Sequence, residues 1–282
     1  MAANFWVSSH QKQLKTKEEL ERTSNLRDKL ELQLTSEDIR RIKMHFVTEI
    51  QNLGKKLFLR QRVIASAIVY MRRFYSKCSF KDHSPLLIAP TCLYISSKVE
   101  ECSIQSPAYK ISGEMKKLDN TWPYTTNDVL MCEFYILECL QFFLIVYHPY
   151  RSLIDYLSDC KLSKGPMDMA WNLLNDSYCT ELSLTCSPYI IALAAIYIAS
   201  TVCEVDLRGW FSELNVEMRE VMAASSELLE YYESIKRMEK ERALMTPISA
   251  LLARIPAKSS QNTSHPMHNN TSYGQQRISG RF

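Results

Sequence analysis

Apolar residues recur along much of the chain at the spacing of one helix face. The spacing is clear in 36–53, 63–77 and 127–140, where steps of three and four residues are typical of an amphipathic α-helix. Thr35, followed three residues later by Asp38, resembles a capping box and predicts the start of the first helix. No comparable stretch alternates with the period of a β-strand. The apolar side of the third segment is formed by Leu130, Phe134, Leu137 and Leu140.

One helical segment occurs twice in the chain. Residues 84–97 align with 187–200 at an offset of 103, and seven of the 14 positions are identical. Each copy begins with Ser-Pro, which predicts serine as the N-cap and proline as the first helical residue. Each copy is also too apolar for a surface helix. The repeat therefore predicts two similar all-α domains of about five helices, each with a buried central helix.

The repeat and the local composition divide the chain into segments. Pro149 disfavours helix at His148, so 144–153 is interpreted as the connection between the domains. Residues from Ala257 onward are rich in Ser, Asn, Thr, Gln and His, which is typical of disorder. The predicted segments are an N-terminal segment with a helix at 1–34, a first domain at 35–146, a second domain at 147–245 and a disordered tail at 257–282.

Composition excludes several classes of protein. The 282 residues include six glycines, where about 7% is usual, and their spacing fits no glycine-rich nucleotide loop. Scarce glycine also argues against a fold with many tight turns between strands. The net charge of +3 equals that of Lys258, Arg277 and Arg281 in a tail without acids, so residues 1–256 are neutral. A neutral body does not favour bulk attraction to nucleic acid or to an anionic membrane.

Catalytic and metal-binding patterns are sparse. The nine cysteines form no C-x-x-C pair and do not cluster with histidine, so they are interpreted as reduced core residues of an intracellular protein. The apolar stretches 142–147 and 189–199 are too short to span a bilayer. No known nucleophile or zinc-protease motif occurs. We therefore predict no catalytic residue, no metal and no cofactor, and do not expect an enzyme.

Two charged residues stand beside apolar helix faces. Lys98 lies at the C-terminal end of the first repeat copy, where the second copy has Thr201. A lysine at that position either stabilises the helix dipole or donates hydrogen bonds to carbonyl groups of a partner. Glu133 precedes Phe134 and is either a solvated edge residue or an acceptor that pairs with Lys98. The residues by themselves leave both alternatives open.

These residues resemble the cyclin box. The resemblance is carried by the run Leu93-Tyr-Ile-Ser-Ser-Lys-Val-Glu-Glu101 and by the following helix with Glu133. In cyclins, this Lys and this Glu hydrogen-bond the backbone next to the αC helix of a cyclin-dependent kinase. The resemblance therefore implies kinase-binding roles for Lys98 and Glu133, and for Glu101 in the same run. It also implies an all-α fold with two tandem five-helix cyclin-box domains and an N-terminal helix.

Further motifs resemble the cyclin C branch of that family. They are Asn4-Phe-Trp6, Cys132-Glu-Phe-Tyr-Ile-Leu-Glu138, 145–153 and 171–178. The chain lacks the docking run of cell-cycle cyclins, and Arg72 replaces a usual Asp, which removes an internal ion pair. The resemblance implies a nuclear, non-catalytic subunit that binds and activates a cyclin-dependent kinase of the Mediator kinase module. Its expected role is the control of transcription by RNA polymerase II.

Two aromatic groups are further candidates for contacts with the kinase or with other Mediator subunits. Phe5 and Trp6 either belong to a segment folded on its own domain or anchor a partner, because Trp is enriched in interface hot spots. Trp171, Asn175 and Asp176 share one predicted helix. Trp171 is either a buried core residue or part of a groove, since this helix resembles one that other Mediator subunits use in cyclin C-like proteins.

Charge is unevenly distributed within the neutral body. Residues 40–77 hold ten Lys or Arg against one acid, and 204–241 hold ten acids against five bases. The basic segment is either a solvated face or a site for an acidic or phosphorylated partner. The alternative function is a TFIIB-type promoter factor, which also has two cyclin-like repeats and binds DNA. That class would require a zinc ribbon and a strongly basic body, so neither nucleic acid nor membrane is a predicted partner.

Overall fold

The computed structural model describes residues 4–23, 25–102, 105–241 and 245–256, and within these ranges it contains helices and no strands. A 3-10 turn at Phe5–Val7 precedes the first α-helix. The α-helices are α1 Ser9–Lys12, α2 Lys17–Thr23, α3 Asn25–Glu31, α4 Ser36–Lys56, α5 Gln61–Tyr75, α6 Pro85–Val99, α7 Pro107–Leu118, α8 Thr126–Cys139, α9 Tyr150–Asp159, α10 Lys164–Ser177, α11 Leu182–Thr185, α12 Pro188–Val202, α13 Arg208–Glu213, α14 Met218–Lys240 and α15 Ile248–Leu252.

The first bundle consists of α4 to α8 and is built around α6. Helix α6 contacts all four of the others, and most of its residues are buried on every side. It is apolar around its circumference because it has no solvent-facing side along most of its length. Its first turn is tied to the α7–α8 connection, where the Trp122 indole Nε1 donates to the Leu86 carbonyl at 3.0 Å.

The second bundle repeats this arrangement around α12. Helix α12 has the same length as α6, starts 103 residues later, and contacts α9, α10 and α14. This confirms the prediction of a buried central helix in each repeat. Ser84 and Ser187 occupy the N-cap positions, but neither side chain makes a capping hydrogen bond, so the proline at the first helical position defines each start. The second bundle also contains the short α11, which packs against α5 of the first.

The predicted start of α4 is confirmed in detail. The Thr35 hydroxyl accepts from the Asp38 backbone N–H, and the Asp38 carboxylate accepts from the Thr35 backbone, which completes a capping box. Thr125 and Asp128 form the same motif at the start of α8. Each box satisfies backbone N–H groups that the first turn of a helix leaves without intrahelical partners.

An ion pair between a buried arginine and a partly exposed glutamate joins the two bundles. The Arg72 guanidinium on α5 is almost fully buried, donates through Nε to the Tyr178 carbonyl at 2.9 Å, and lies 3.0 Å from Glu181. Lys43 on α4 lies 3.3 Å from the same carboxylate. Burial by itself raises the pKa of Glu181, but Lys43 and Arg72 outweigh it and hold that pKa at about 2. Arg72, which stands where cyclins usually have Asp, thus forms an ion pair with the second bundle.

The terminal segments pack on both bundles. The Lys15 backbone N–H donates to the Leu184 carbonyl at 2.9 Å, and α15 packs against α4. The Asp28 carboxylate accepts hydrogen bonds from the Ser79 hydroxyl and from the Phe80 backbone N–H. The N-terminal region is therefore a set of short helices rather than one helix. The predicted tail at 257–282 lies outside the described residues, and the boundaries at 35–146 and 147–245 stay predictions.

Candidate functional site

Lys98 and Glu133 meet at one end of the first bundle. Helix α6 ends just after Lys98, and Glu133 lies in the middle of the neighbouring α8. The Lys98 ammonium lies 2.5 Å from the Glu133 carboxylate. Of the alternatives that the sequence left open, the structure thus has the direct pair. Lys98 also approaches the Tyr94 ring, with 5.1 Å between Nζ and the ring centroid.

The two partners differ in exposure. The Lys98 side chain is 49% exposed, whereas that of Glu133 is 13% exposed. The hydrogen bond to Glu133 raises the pKa of Lys98 above its ordinary value, so the lysine is charged at neutral pH. The pair therefore offers an ammonium donor and a carboxylate acceptor side by side at the surface. Either group can also hydrogen-bond a backbone segment that docks there.

Glu101, predicted with Lys98 and Glu133 as a kinase contact, follows the end of α6. Its backbone is left-handed, with φ of 49°, and its N–H donates to the Lys98 carbonyl at 3.1 Å. The residue is exposed and lies three positions after Lys98 in the chain. Its kinase-binding role stays a prediction.

The exposed face of α8 corrects one expectation. The spacing placed Leu130, Phe134, Leu137 and Leu140 on one apolar side, but Phe134 is 71% exposed and Leu130 is also exposed. Leu140 is buried and Leu137 packs against the core. The core also receives Val129 and Ile136. Helix α8 is apolar on two sides, so its period did not identify the buried one. Its exposed apolar residues are Leu130, Met131, Phe134 and Tyr135.

The segment after α8 continues this apolar surface. Phe142, Phe143 and Ile145 are all exposed, although the backbone between them is held in place. The Tyr70 hydroxyl donates to the Leu144 carbonyl at 2.6 Å, and Arg73 donates to the Phe143 carbonyl at 3.3 Å. We call the exposed apolar residues of α8 and of 142–145 the α8 surface. Seven exposed large apolar side chains within 16 residues of the chain are typical of a protein interaction site.

Phe5 and Trp6 have different surroundings. The Phe5 ring is half-buried, with its centroid 5.7 Å from that of Tyr147 and 5.5 Å from that of His10. Trp6 is 57% exposed and contacts Tyr189 at the start of α12. The structure thus places Phe5 in an intramolecular contact and leaves Trp6 available at the surface. The partner-binding role of both residues stays a prediction.

Trp171, Asn175 and Asp176 lie together on α10. Trp171 is partly exposed and its ring packs on that of Tyr150, with 5.2 Å between centroids. The Asn175 side-chain oxygen accepts from the Tyr150 hydroxyl at 2.9 Å, and the Asp176 carboxylate accepts from the Tyr232 hydroxyl at 2.5 Å. Trp171 is thus not a buried core residue, while Asn175 and Asp176 are held by internal hydrogen bonds. A partner role for the three stays a prediction.

The structure contains a buried chain of hydrogen bonds that the sequence did not predict. Because the Glu100 carboxylate only accepts, the fully buried Ser66 hydroxyl donates to it at 2.7 Å. His148 Nε2 lies 2.8 Å from the same hydroxyl, and its Nδ1 lies 2.7 Å from the Tyr178 hydroxyl. The order of donors places a proton on His148 Nε2, and in the neutral ring Nδ1 then accepts from the Tyr178 hydroxyl. The position of His148 before Pro149 was the only sequence signal, and it indicated a connection rather than a network.

The chain of hydrogen bonds crosses from one bundle to the other. Ser66 lies on α5 of the first bundle, and Tyr178 follows α10 of the second. Burial, followed by the positive charge of Arg62, lowers the pKa of His148 from 6.5 to about 3. Ser66 is inaccessible to solvent, so its contact with His148 and Glu100 does not form a reactive nucleophile.

Most of the cations in the basic segment, residues 40–77, make contacts within the chain. Seven of its ten cations contact carbonyl, hydroxyl or carboxylate groups of the same chain, which argues against a free basic face for an acidic partner. These seven are Arg40, Arg41, Lys43, Arg62, Arg72, Arg73 and Lys77. Within the described ranges, no three His, Cys, Asp or Glu side chains are grouped so as to hold a metal ion. In the same part of the chain, no helix is long and apolar enough to cross a membrane.

Known relatives identify the family. Residues 8–145 match the family described as Cyclin, N-terminal domain. Cyclin-C from Rattus norvegicus is 36% identical over 284 residues, which cover 98% of this chain and 100% of that relative. Cyclin-C1-2 from Arabidopsis thaliana is 41% identical over 247 residues, which cover 86% of this chain and 95% of the relative. The chain belongs to the cyclin C family.

Solved structures show the same fold at lower identity. A chain of the CAK complex from Chaetomium thermophilum bound to ATP-gamma-S superposes with a TM-score of 0.68 at 18% identity, covering 89% of this cyclin and 88% of that chain. A chain of the yeast RNA Pol II CTD kinase CTDK-1 complex superposes with a TM-score of 0.66 at 16% identity, covering 88% and 92%. These similarities confirm the cyclin fold predicted from the repeat and from the box motif.

Proposed function

We propose that this cyclin is the regulatory subunit of a cyclin-dependent kinase that acts in transcription. The observation that carries the proposal is the α8 surface, whose large apolar side chains are exposed and include Phe134, the chain neighbour of Glu133 in the Lys98–Glu133 pair. Membership of the cyclin C family supports the same conclusion. The two neighbours of solved structure come from kinase complexes, and one of them is a kinase of the RNA polymerase II C-terminal domain.

The geometry suggests how such a subunit activates its partner. Phe134 and the neighbouring apolar side chains bury against a helix of the kinase, while Lys98 and Glu133 hydrogen-bond its adjoining backbone. Binding then favours the kinase conformation that completes this contact. About 5.5 kcal/mol of preference for that conformation shifts a two-state equilibrium from 1:99 to 99:1. The catalytic groups belong to the kinase, so this chain needs neither a catalytic residue nor a cofactor of its own.

We also propose that the kinase is that of the Mediator kinase module and that the cyclin is nuclear. The support is its relatives, which carry the name cyclin C. Trp6 and Trp171 are exposed aromatic residues outside the α8 surface, and they are the proposed contacts for other Mediator subunits. Tryptophan is well suited to that role because it buries a large area at low entropic cost.

Charge reversal tests the kinase contact. We expect Lys98→Glu and Glu133→Lys each to weaken binding to the purified kinase by more than about tenfold, because each leaves two like charges in contact at the interface. Lys117→Glu is the matched control, since Lys117 also forms an exposed ion pair at 2.6 Å, with Glu114 on α7. Binding and kinase activation are measured together on the reconstituted complex.

The exchanged double variant distinguishes a docking role from a structural one. Lys98→Glu with Glu133→Lys restores the internal ion pair but swaps the donor and the acceptor offered to the kinase. We expect stability to recover while binding stays weak. Full recovery of binding would mean that the pair acts only within this chain. If both single variants bind as the wild type does, the proposed interface is wrong.

The same reconstitution tests the Mediator part of the proposal. Trp171→Ala is expected to retain the kinase and to lose other Mediator subunits, while Tyr109→Ala, an exposed aromatic residue on α7, retains both. If Trp171→Ala captures all the subunits that the wild type captures, the proposed role of Trp171 is wrong.

A further inference from the structure

Two thiols of this chain are in direct contact. Cys78 follows the end of α5, and Cys139 is the last residue of α8. Their sulfur atoms lie 3.4 Å apart, although 61 residues separate them in the sequence. All nine cysteines of the chain lie within the described residues and are free thiols, and among them only Cys78 and Cys139 have their sulfur atoms in contact. The contact therefore sets this pair apart.

The charge around the pair differs between the two sulfurs. The hydrogen bond from Cys78 lowers the pKa of Cys139, and the positive charges of Lys77 and Lys15 lower it further. Lys77 is held in place because its ammonium donates to the Cys139 carbonyl at 2.9 Å. Burial instead raises the pKa of several other thiols, which keeps them protonated. These are Cys92, Cys132, Cys160, Cys179 and Cys186.

Both cysteines keep part of their surface exposed to solvent. A cavity of about 450 Å³ lies between the N-terminal segment and the ends of α5 and α8. Neither cysteine lines it, but Lys77 and Leu140, their chain neighbours, do. Lys15 and Arg73 line the same cavity. Their positive charge favours a thiolate and an anionic leaving group at this position.

We propose that Cys78 and Cys139 form a redox-active dithiol site that hydroperoxides oxidise to a disulfide. The Cys139 thiolate attacks the peroxide, a sulfur–oxygen bond forms as the oxygen–oxygen bond breaks, and the leaving alkoxide or hydroxide takes a proton from water. Cys78 then loses its proton and attacks the sulfenic sulfur, a sulfur–sulfur bond forms, and hydroxide leaves and is protonated to water. Two thiols lose two electrons in total, and the hydroperoxide accepts them.

The site is independent of the proposed kinase contact. Neither cysteine belongs to the Lys98–Glu133 pair, and the oxidation requires no kinase. A disulfide would link the segment after α5 to the last residue of α8. The exposed Phe142 and Phe143 begin three residues later in the chain. The dithiol can therefore be tested on the purified cyclin, and its failure would leave the proposed function untouched.

The first experiment uses the full wild-type chain. The reduced protein is treated with one equivalent of hydrogen peroxide, the remaining thiols are alkylated, and the disulfide-linked peptides are identified by mass spectrometry. We expect a loss of two hydrogen masses and one dominant linked pair, Cys78 with Cys139. The proposal is overturned if these two thiols stay alkylatable, or if other cysteines are oxidised at the same rate.

Single variants then test which thiol reacts first. In Cys78→Ser no resolving thiol remains, so we expect dimedone to trap a sulfenic acid at Cys139. In Cys139→Ser we expect oxidation at Cys78 to be about tenfold slower, because that thiol stays protonated. Cys160→Ser is the matched control, since Cys160 is half-buried without a neighbouring thiol, and it should oxidise as the wild type does. Equal trapping at Cys78 and Cys139 would contradict the assigned order.

Discussion

Glu100 and Glu101 are neighbours in the chain with different surroundings. Glu100 accepts from Ser66 and lies 2.6 Å from Arg62 Nε, with 10% of its side chain exposed. Glu101 is exposed, and its backbone has turned into the left-handed region. The cyclin-box resemblance pointed to Glu101 as a contact residue and did not reveal that Glu100 stabilises the end of α6. Only the position of α5 beside that end separates the two roles.

We expect Glu100→Ala to lower the free energy of unfolding by about 2 kcal/mol, because the buried Ser66 hydroxyl loses its acceptor. Glu101→Ala is the matched control and is expected to change it by less than about 0.5 kcal/mol. Urea unfolding of both variants, followed by circular dichroism, measures the difference. Equal effects at the two positions would contradict the structural role given to Glu100.

At the scale of the helices, Gly54 lies where α4 packs against α5. A Cβ atom at Gly54 would lie 2.5 Å from Cγ1 and 2.7 Å from Cδ1 of Ile64, so this glycine permits the close approach of the two helices. Gly113, on α7, has open space where its Cβ would lie. Counting glycines in the sequence indicated a helical fold, but it did not show which glycine a neighbouring helix requires.

We expect replacement of glycine by alanine to have opposite effects on stability at Gly54 and at Gly113. Gly54→Ala should destabilise the protein by about 1–2 kcal/mol, since displacing Ile64 costs more than the gain in helix propensity. Gly113→Ala should stabilise it by about 0.5–1 kcal/mol through propensity alone. Thermal unfolding of the two variants under identical conditions checks the signs. A stabilised Gly54→Ala would show that the side chain of Ile64 moves aside freely.

Across the whole molecule, two neutral histidines lie where the bundles and the N-terminal segment meet. His148 bridges Ser66 and Tyr178. His10 is buried and accepts from the Tyr147 backbone N–H at 3.0 Å. Burial, followed by the positive charge of Arg73, lowers the pKa of His10 from 6.5 to about 3. Both histidines must therefore be neutral in the folded protein, while both accept protons near pH 6.5 when the chain unfolds.

This difference predicts acid sensitivity at mild pH. A folded-state pKa below the unfolded value means that stability is complete above pH 6.5 and is lost as the pH falls towards 3. Well below pH 6.5 each histidine contributes a loss that approaches about 1.4 kcal/mol per pH unit, and over the interval from pH 6.5 to 5.5 the two together cost about 2 kcal/mol. Glu181, whose pKa is lowered to about 2, adds its loss at more acidic pH, as the pH falls from the ordinary carboxyl pKa of 4.5 towards 2.

The slope of stability against pH is the quantity to measure. Urea unfolding at pH 7.5, 6.5 and 5.5 should give a slope for His148→Gln that is smaller than that of the wild type by about one proton. Thr48→Ala, at an exposed position of α4, is the matched control and should keep the wild-type slope, because it removes no titratable group. An unchanged slope in His148→Gln would show that His148 is not the neutral group described here.

The helical class, the two central helices and the capping box at Thr35 were determined by the sequence itself. They depend on residues a few positions apart, and the 103-residue offset of α6 and α12 repeats such a local pattern. The tertiary structure decided the rest of the site. Helix α8 is apolar on two sides, so only its packing against α6 shows that Phe134 is exposed. The Lys98–Glu133 and Cys78–Cys139 contacts join residues 35 and 61 positions apart, and their distances follow from helix packing, which no local period encodes.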